Sequence, residues 1–112
     1  MYNDDEIMEL VSLVAEVSDP DRIILFGSYV YGNPCEQSDL DLLVIKNDKD
    51  LSRDEHAELA VAVYDKRKQQ QNKTRYDIFF RTDKQVQESI ENDGAFVDAL
   101  QRGRVVYERT YQ

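Results

Sequence analysis

The sequence has a single cysteine, Cys35, in 112 residues, which excludes an internal disulfide and fits a reducing compartment. No apolar run approaches the length of a bilayer span. The first residues, Met1-Tyr2-Asn3-Asp4-Asp5-Glu6, are acidic where a secretory leader would be basic. Neither membrane insertion nor export is expected, and the chain reads as cytoplasmic. Positive charge is scarce: 14 Lys and Arg stand against 23 Asp and Glu, a formal net charge of −9. Neutralising a phosphate backbone needs clustered cations, so autonomous nucleic-acid binding is not expected. The sole histidine, His56, follows Asp54-Glu55 on a polar helix face and reads as a surface residue. No internal repeat or linker divides the chain, and residues 1–112 are read as one domain with a modest core.

What is present is an ordinary globular composition, 41% hydrophobic and 33% charged. Ile7, Leu10, Val11, Val14 and Val17 follow Asp4-Asp5-Glu6 at helical spacing, and Asp19-Pro20-Asp21 ends that helix. A first strand is predicted from Arg22 to Phe26, a short helical turn over Tyr29–Gly32, and a second strand from Asp39 to Ile45. The near-continuous apolar character of the second strand predicts burial on both faces. After a polar turn at Asn47-Asp48-Lys49-Asp50, Ser52 with Glu55 suggests a capping box for a long helix to Gln69. Its apolar stripe is read as Leu59, Val63, Ala60, Ala62 and Tyr64. A third strand is expected from Arg75 to Arg81, and then a helix capped by Asp83 through Val86 and Ile90. Asn92-Asp93-Gly94 breaks that helix, Phe96 to Leu100 resumes one, and Arg104 to Tyr107 forms an edge strand. Tyr107 and Tyr111 read as strand-end packing residues. The order is that of an α/β protein.

The chemistry concentrates between Leu25 and Val44, LFGSYVYGNPCEQSDLDLLV. An apolar run ends in Gly27-Ser28, and five residues separate Gly32 from Ser38. Asp39-Leu40-Asp41 then opens the second strand. Alternation puts Asp39 and Asp41 on one side and Leu40 on the other. Two carboxylates so placed are hard oxygen ligands of the kind Mg²⁺ takes together with substrate phosphates. The small Gly27-Ser28 pair lets backbone approach a phosphate closely, with the Ser28 hydroxyl beside it. Taken separately, Asp-x-Asp is also a common solvated turn and Gly-Ser a common bend. The one basic cluster, Lys66-Arg67-Lys68 with Lys73 and Arg75, reads either as a solvated helix end or as a contact for a triphosphate or an acidic partner. Cys35, with no nearby base, is given no catalytic role.

Gly27, Ser28, Gly32, Ser38, Asp39 and Asp41, between two apolar strands, resemble the signature of the minimal nucleotidyltransferases. These are small members of the DNA polymerase β-like nucleotidyltransferase superfamily. Tyr76-Asp77-Ile78-Phe79-Phe80 resembles the family's later strand with its third carboxylate, and the stretch from Ala99 to Glu108 resembles its C-terminal end. The resemblance implies a small mixed sheet with helices packed mainly on one face. It implies two Mg²⁺ ions held by Asp39, Asp41 and Asp77, and a nucleoside triphosphate, ATP or another, oriented by Gly27, Ser28 and Ser38. Asp77 is the implied carboxylate that assists deprotonation of the acceptor. Relatives often carry Ala at the centre of the Tyr29-Val30-Tyr31 stretch and an arginine just before the glycine. Here Tyr31 holds the arginine's place, so either Mg²⁺ with Arg75 or Lys46 compensates for the missing cation or triphosphate binding is weakened, while Tyr29 or Tyr31 is a candidate to stack on a base or dock a partner. The implied function is an antitoxin that transfers AMP to a hydroxyl, a tyrosine, of a partner HEPN-domain ribonuclease. The alternatives are a small-molecule nucleotidyltransferase completed by a partner subunit, and a non-catalytic module that covers its toxin.

Overall fold

The computed structural model describes residues 1–48 and 52–110. Tyr111 and the Lys49-Asp50 half of the expected turn lie outside the described residues. The elements follow in the order α1 (Asp4–Ser18), β1 (Arg22–Phe26), α2 (Ser28–Tyr31), β2 (Leu40–Ile45) and α3 (Arg53–Gln69). They continue with β3 (Tyr76–Arg81), α4 (Asp83–Asn92), α5 (Val97–Arg102) and β4 (Arg104–Glu108). The strands form one mixed sheet in the order β3-β2-β1-β4. β1 is antiparallel to both β2 and β4, whereas β2 and β3 run parallel. That parallel pair requires a crossover, which α3 provides.

Local chemistry explains the boundaries. Asn3 accepts from the Glu6 N–H and Glu6 reaches back to the Asn3 N–H, a capping box that starts α1. Asp19 closes α1 in the left-handed region, and buried Pro20 turns the chain into β1. The Ser52 hydroxyl accepts from the Glu55 N–H at the start of α3. For α4 the cap is Thr82 rather than Asp83: its hydroxyl accepts from the Gln85 N–H, and the Gln85 side chain accepts from the Thr82 N–H. A threonine before the helix serves this purpose because only the residue with extended backbone can aim its oxygen at the free amides. Asp83, one residue inside, instead accepts from Arg22 and Asn47.

The sheet buries both faces. Alternate residues Ile23, Leu25, Leu40, Leu42, Val44 and Phe80 meet Leu10, Val11 and Val14 of α1 and Val63 of α3. Each fully buried aliphatic side chain here contributes about 1.5–3 kcal/mol relative to exposure. The two long helices thus share one face, as the resemblance implies. The shorter α4 and α5 cover part of the other, where Ile24, Leu43, Ile45, Val86 and Ala99 form a second, smaller core. The stripe expected on α3 is narrower than read. Val63 is its buried residue, whereas Tyr64 is exposed and stacks with Lys68.

Candidate active site

The second face of the sheet is organised in three rows. Across β1, β2 and β3 these are Phe26–Asp41–Asp77, Ile24–Leu43–Phe79 and Arg22–Ile45–Arg81. The first row ends β1 and begins β2 and β3, and it brings Asp41 and Asp77 side by side. Asp39 lies just before β2 with the same parity. β3 is an edge strand and Asp77 is exposed on it, while Asp41 is half-buried.

Asp41 sits against Gly27. Gly27 adopts φ +79°, a conformation costly for residues with a side chain, and a Cβ there would overlap Asp41 Oδ2. The glycine is therefore required twice, by the turn and by the carboxylate it shelters. Burial first, then the charges of Asp77 and Asp39, raise the Asp41 carboxyl above the ordinary carboxylate range. Among the described residues neither Asp41 nor Asp77 makes an ion pair or accepts a hydrogen bond from a side chain. Asp39 differs, because Arg75 Nε lies 3.4 Å from its Oδ1 and the same guanidinium donates to the Glu36 carbonyl. Among the described residues no group of three or more acidic, histidine or cysteine side chains is close enough to share an ion. The paired hard oxygens of Asp41 and Asp77 fit Mg²⁺, which needs only one or two protein carboxylates beside substrate phosphates. Asp39 is the one turned aside.

The loop residues fall into place around this row. Ser28 opens α2, and the Gly27 carbonyl accepts from the Val30 and Tyr31 N–H groups. Ser38 Oγ accepts from the Cys35 N–H at 2.9 Å, so this serine ties the loop that delivers Asp39. Cys35 is exposed, and hydrogen bonds from Ser38 and then from the Gln37 backbone hold its thiol below the ordinary value. Tyr29 is engaged inside the fold: its ring stacks on Tyr2 at 6.1 Å and its hydroxyl accepts from the Tyr2 N–H. Tyr31 carries Arg102 of α5 over its ring at 4.3 Å. A guanidinium thus stands beside position 31 after all, delivered from 71 residues away, a separation at which sequence offers no signal. Lys46 is at the opposite end of β2, bonded to Asp48 and the Asp19 carbonyl, so of the two expected substitutes only Arg75 adjoins the carboxylates.

Beside Asp39 opens a cleft of about 400 Å³ lined by Tyr64, Arg67, Thr74, Arg75 and Tyr76. The basic cluster is divided among separate tasks. Lys66 pairs with Glu16 at 3.4 Å, Arg67 lies over Tyr76 and donates to the Thr74 carbonyl, and Lys68 lies over Tyr64.

A small mixed sheet that presents adjacent carboxylates beside a Gly-Ser turn defines an α/β protein built for phosphate chemistry. Residues 8–112 match the family described as Polymerase beta, Nucleotidyltransferase, and the chain belongs to that family. Its activity is nucleotidyl transfer, with a nucleoside triphosphate as substrate. Comparison with curated proteins and with solved structures found no significant match. Among the described residues no helix is long and apolar enough to cross a membrane.

Proposed function

We propose that the chain is a Mg²⁺-dependent protein adenylyltransferase that silences a HEPN-domain ribonuclease by modifying a tyrosine hydroxyl, acting as its antitoxin from a single domain. The observation that carries the transfer chemistry is the adjacency of Asp41, which sits against the Gly27 turn, and Asp77, two carboxylates without a counter-charge among the described residues. Like charges held together destabilise a fold unless a cation joins them. Asp39, Asp41 and Asp77 would hold the metal, Asp39 exchanging Arg75 for it. When bound, Mg²⁺ draws charge from the triphosphate oxygens and lowers the pKa of the attacking hydroxyl.

The chain's own residues divide the remaining work. Gly27 and Ser28 orient the β- and γ-phosphates, and Ser38 fixes the loop that presents Asp39 to them. Asp77, exposed on the edge strand, accepts the acceptor's proton. The acceptor oxygen forms a bond to the α-phosphorus as the α–β bridging bond breaks, and pyrophosphate leaves. The cleft walled by Tyr64 and Tyr76 beside Asp39 suits an aromatic acceptor such as tyrosine. The HEPN identity of the partner rests on the resemblance of residues 25–44 and 76–80 alone.

The test combines the chain with the protein encoded beside it, ATP and Mg²⁺, and records intact masses. One added AMP on the partner is expected, and none with an Asp39→Ala/Asp41→Ala double variant. An unmodified partner, with a chain that binds ATP normally, would overturn the proposal. Silencing that survives in the double variant would instead identify a covering module.

A further inference from the structure

The row at the far end of β2 and β3 carries the opposite charge. Arg81 is half-buried, with its guanidinium over the rings of Phe79 and Phe96 at 6.0 and 5.6 Å. Its Nη1 donates to the Phe80 carbonyl at 2.8 Å and meets His56 Nδ1 at 3.0 Å. An arginine can only donate, so Nδ1 accepts and the imidazole proton resides on Nε2. Contrary to the surface placement expected for it, His56 is half-buried, and burial followed by Arg81 keeps it below its ordinary pKa.

Arg81 has no carboxylate partner among the described residues, and its Nε and Nη2 make no hydrogen bond there. Among the described residues no buried side-chain nitrogen or oxygen lacks a partner, so these two nitrogens are reached by solvent. Arg81 lines a cavity of about 440 Å³ whose wall also includes Arg53, His56, Gln85, Ser89 and Asn92. Arg53 likewise forms no ion pair among the described residues. Partly buried charges are normally paired, and a guanidinium with a free edge is shaped to take two oxygens of one anion.

We infer that this cavity binds a small metabolite carrying an oxyanion, a phosphate monoester or a carboxylate, on Arg81 and Arg53. Glu88 and Asp93, which also line the wall, exclude polyanions and favour a ligand whose remainder offers hydroxyl or ammonium donors. Two strand repeats, about 13 Å, separate Arg81 from the row of Asp41 and Asp77, so this is a second site and not a triphosphate subsite. It does not depend on the proposed antitoxin role.

His56 is the sole histidine, which makes its imidazole C–H resonances an unambiguous reporter. Charged groups around it are Arg53 and Glu55 on its own helix, Arg81 on β3, Glu88 on α4, and Asp93 just after α4. Inorganic phosphate and acetate would be titrated separately into the protein. A saturable shift with either anion, accompanied by a rise in the imidazole pKa, is expected, and the tighter of the two names the ligand class. Arg81→Gln should weaken binding tenfold or more, and Arg53→Gln, at an exposed position, should weaken it less while leaving the fold intact. The Asp39→Ala/Asp41→Ala variant should bind as the parent does. Strictly linear shifts with both anions, unchanged in Arg53→Gln, would overturn the inference, as would loss of binding in the double aspartate variant.

Discussion

The two ends of one pair of parallel strands make an instructive contrast. Where β2 and β3 begin, Asp41 and Asp77 stand together with no cation paired to them among the described residues. Where they end, Arg81 has no anion partner among the described residues, although Arg22 in the same row is paired with Asp83 at 2.8 Å. The middle row between them is apolar and sealed by Val86, Phe96 and Ala99. The apolar row keeps the two ends apart, so neither set of charges can neutralise the other. Folding on its own would favour a pairing, and its absence at both ends among the described residues is what the two proposals rest on.

The largest effect should come from neutralising the acidic end. Asp41→Asn should reduce nucleotidyl transfer by about 10²–10³-fold or more, measured as pyrophosphate release in Mg²⁺ and ATP with an acceptor. The same variant should be more resistant to urea than the parent at neutral pH. The sign follows from the raised Asp41 pKa: the protonated folded form is favoured, its stabilisation is complete below the unfolded pKa, and it is lost as pH rises through the folded value. Asn keeps the uncharged state at every pH, so its advantage should fade on acidification. An equal loss of activity and of stability at pH 7 would mean that Asp41 is a structural residue.

Next in size is the turn that shelters this carboxylate. Gly27→Ala should cost about 1–3 kcal/mol in denaturant unfolding, because the positive φ and the overlap with Asp41 Oδ2 act together. Combining it with Asp41→Gly should recover part of that loss, since the overlap disappears and the strained φ remains. Additive losses would show that the two residues do not touch.

The smallest effect belongs to the one carboxylate at this end that does have a cation. Arg75→Gln should change stability by no more than about 1 kcal/mol, since the Asp39–Arg75 pair is largely exposed. It should alter the KM for triphosphate far more than it alters unfolding. A change in unfolding alone would assign Arg75 to the scaffold.

Much of this was readable in advance, for local reasons. β1 and β2 were legible because apolar runs between turn residues leave few alternatives, and the meeting of Asp41 with Asp77 in one row was what the family resemblance implied. The cap of α4 fell one residue from Asp83, since a threonine and an aspartate both cap well and only the backbone distinguishes them. What sequence could not provide were meetings across distance: Arg102 over Tyr31, Tyr2 under Tyr29, and His56 on Arg81. The last pair joins a helix said to be polar to a strand said to be ending, and neither periodicity contains it. Asp39 shows the same limit, for its parity was predictable and its turn toward Arg75 was not.

Paramagnetic Mn²⁺ in place of Mg²⁺ puts the contrast between the two strand ends to the sharpest test. Titrated at substoichiometric levels with the protein and ATP, it should broaden the amide resonances of residues 39–42 and 76–78 while the His56 imidazole signals stay sharp. Broadening centred on His56, Glu88 and Asp93, or none that favours either end, would contradict the assignment of the acidic row as the metal-holding site.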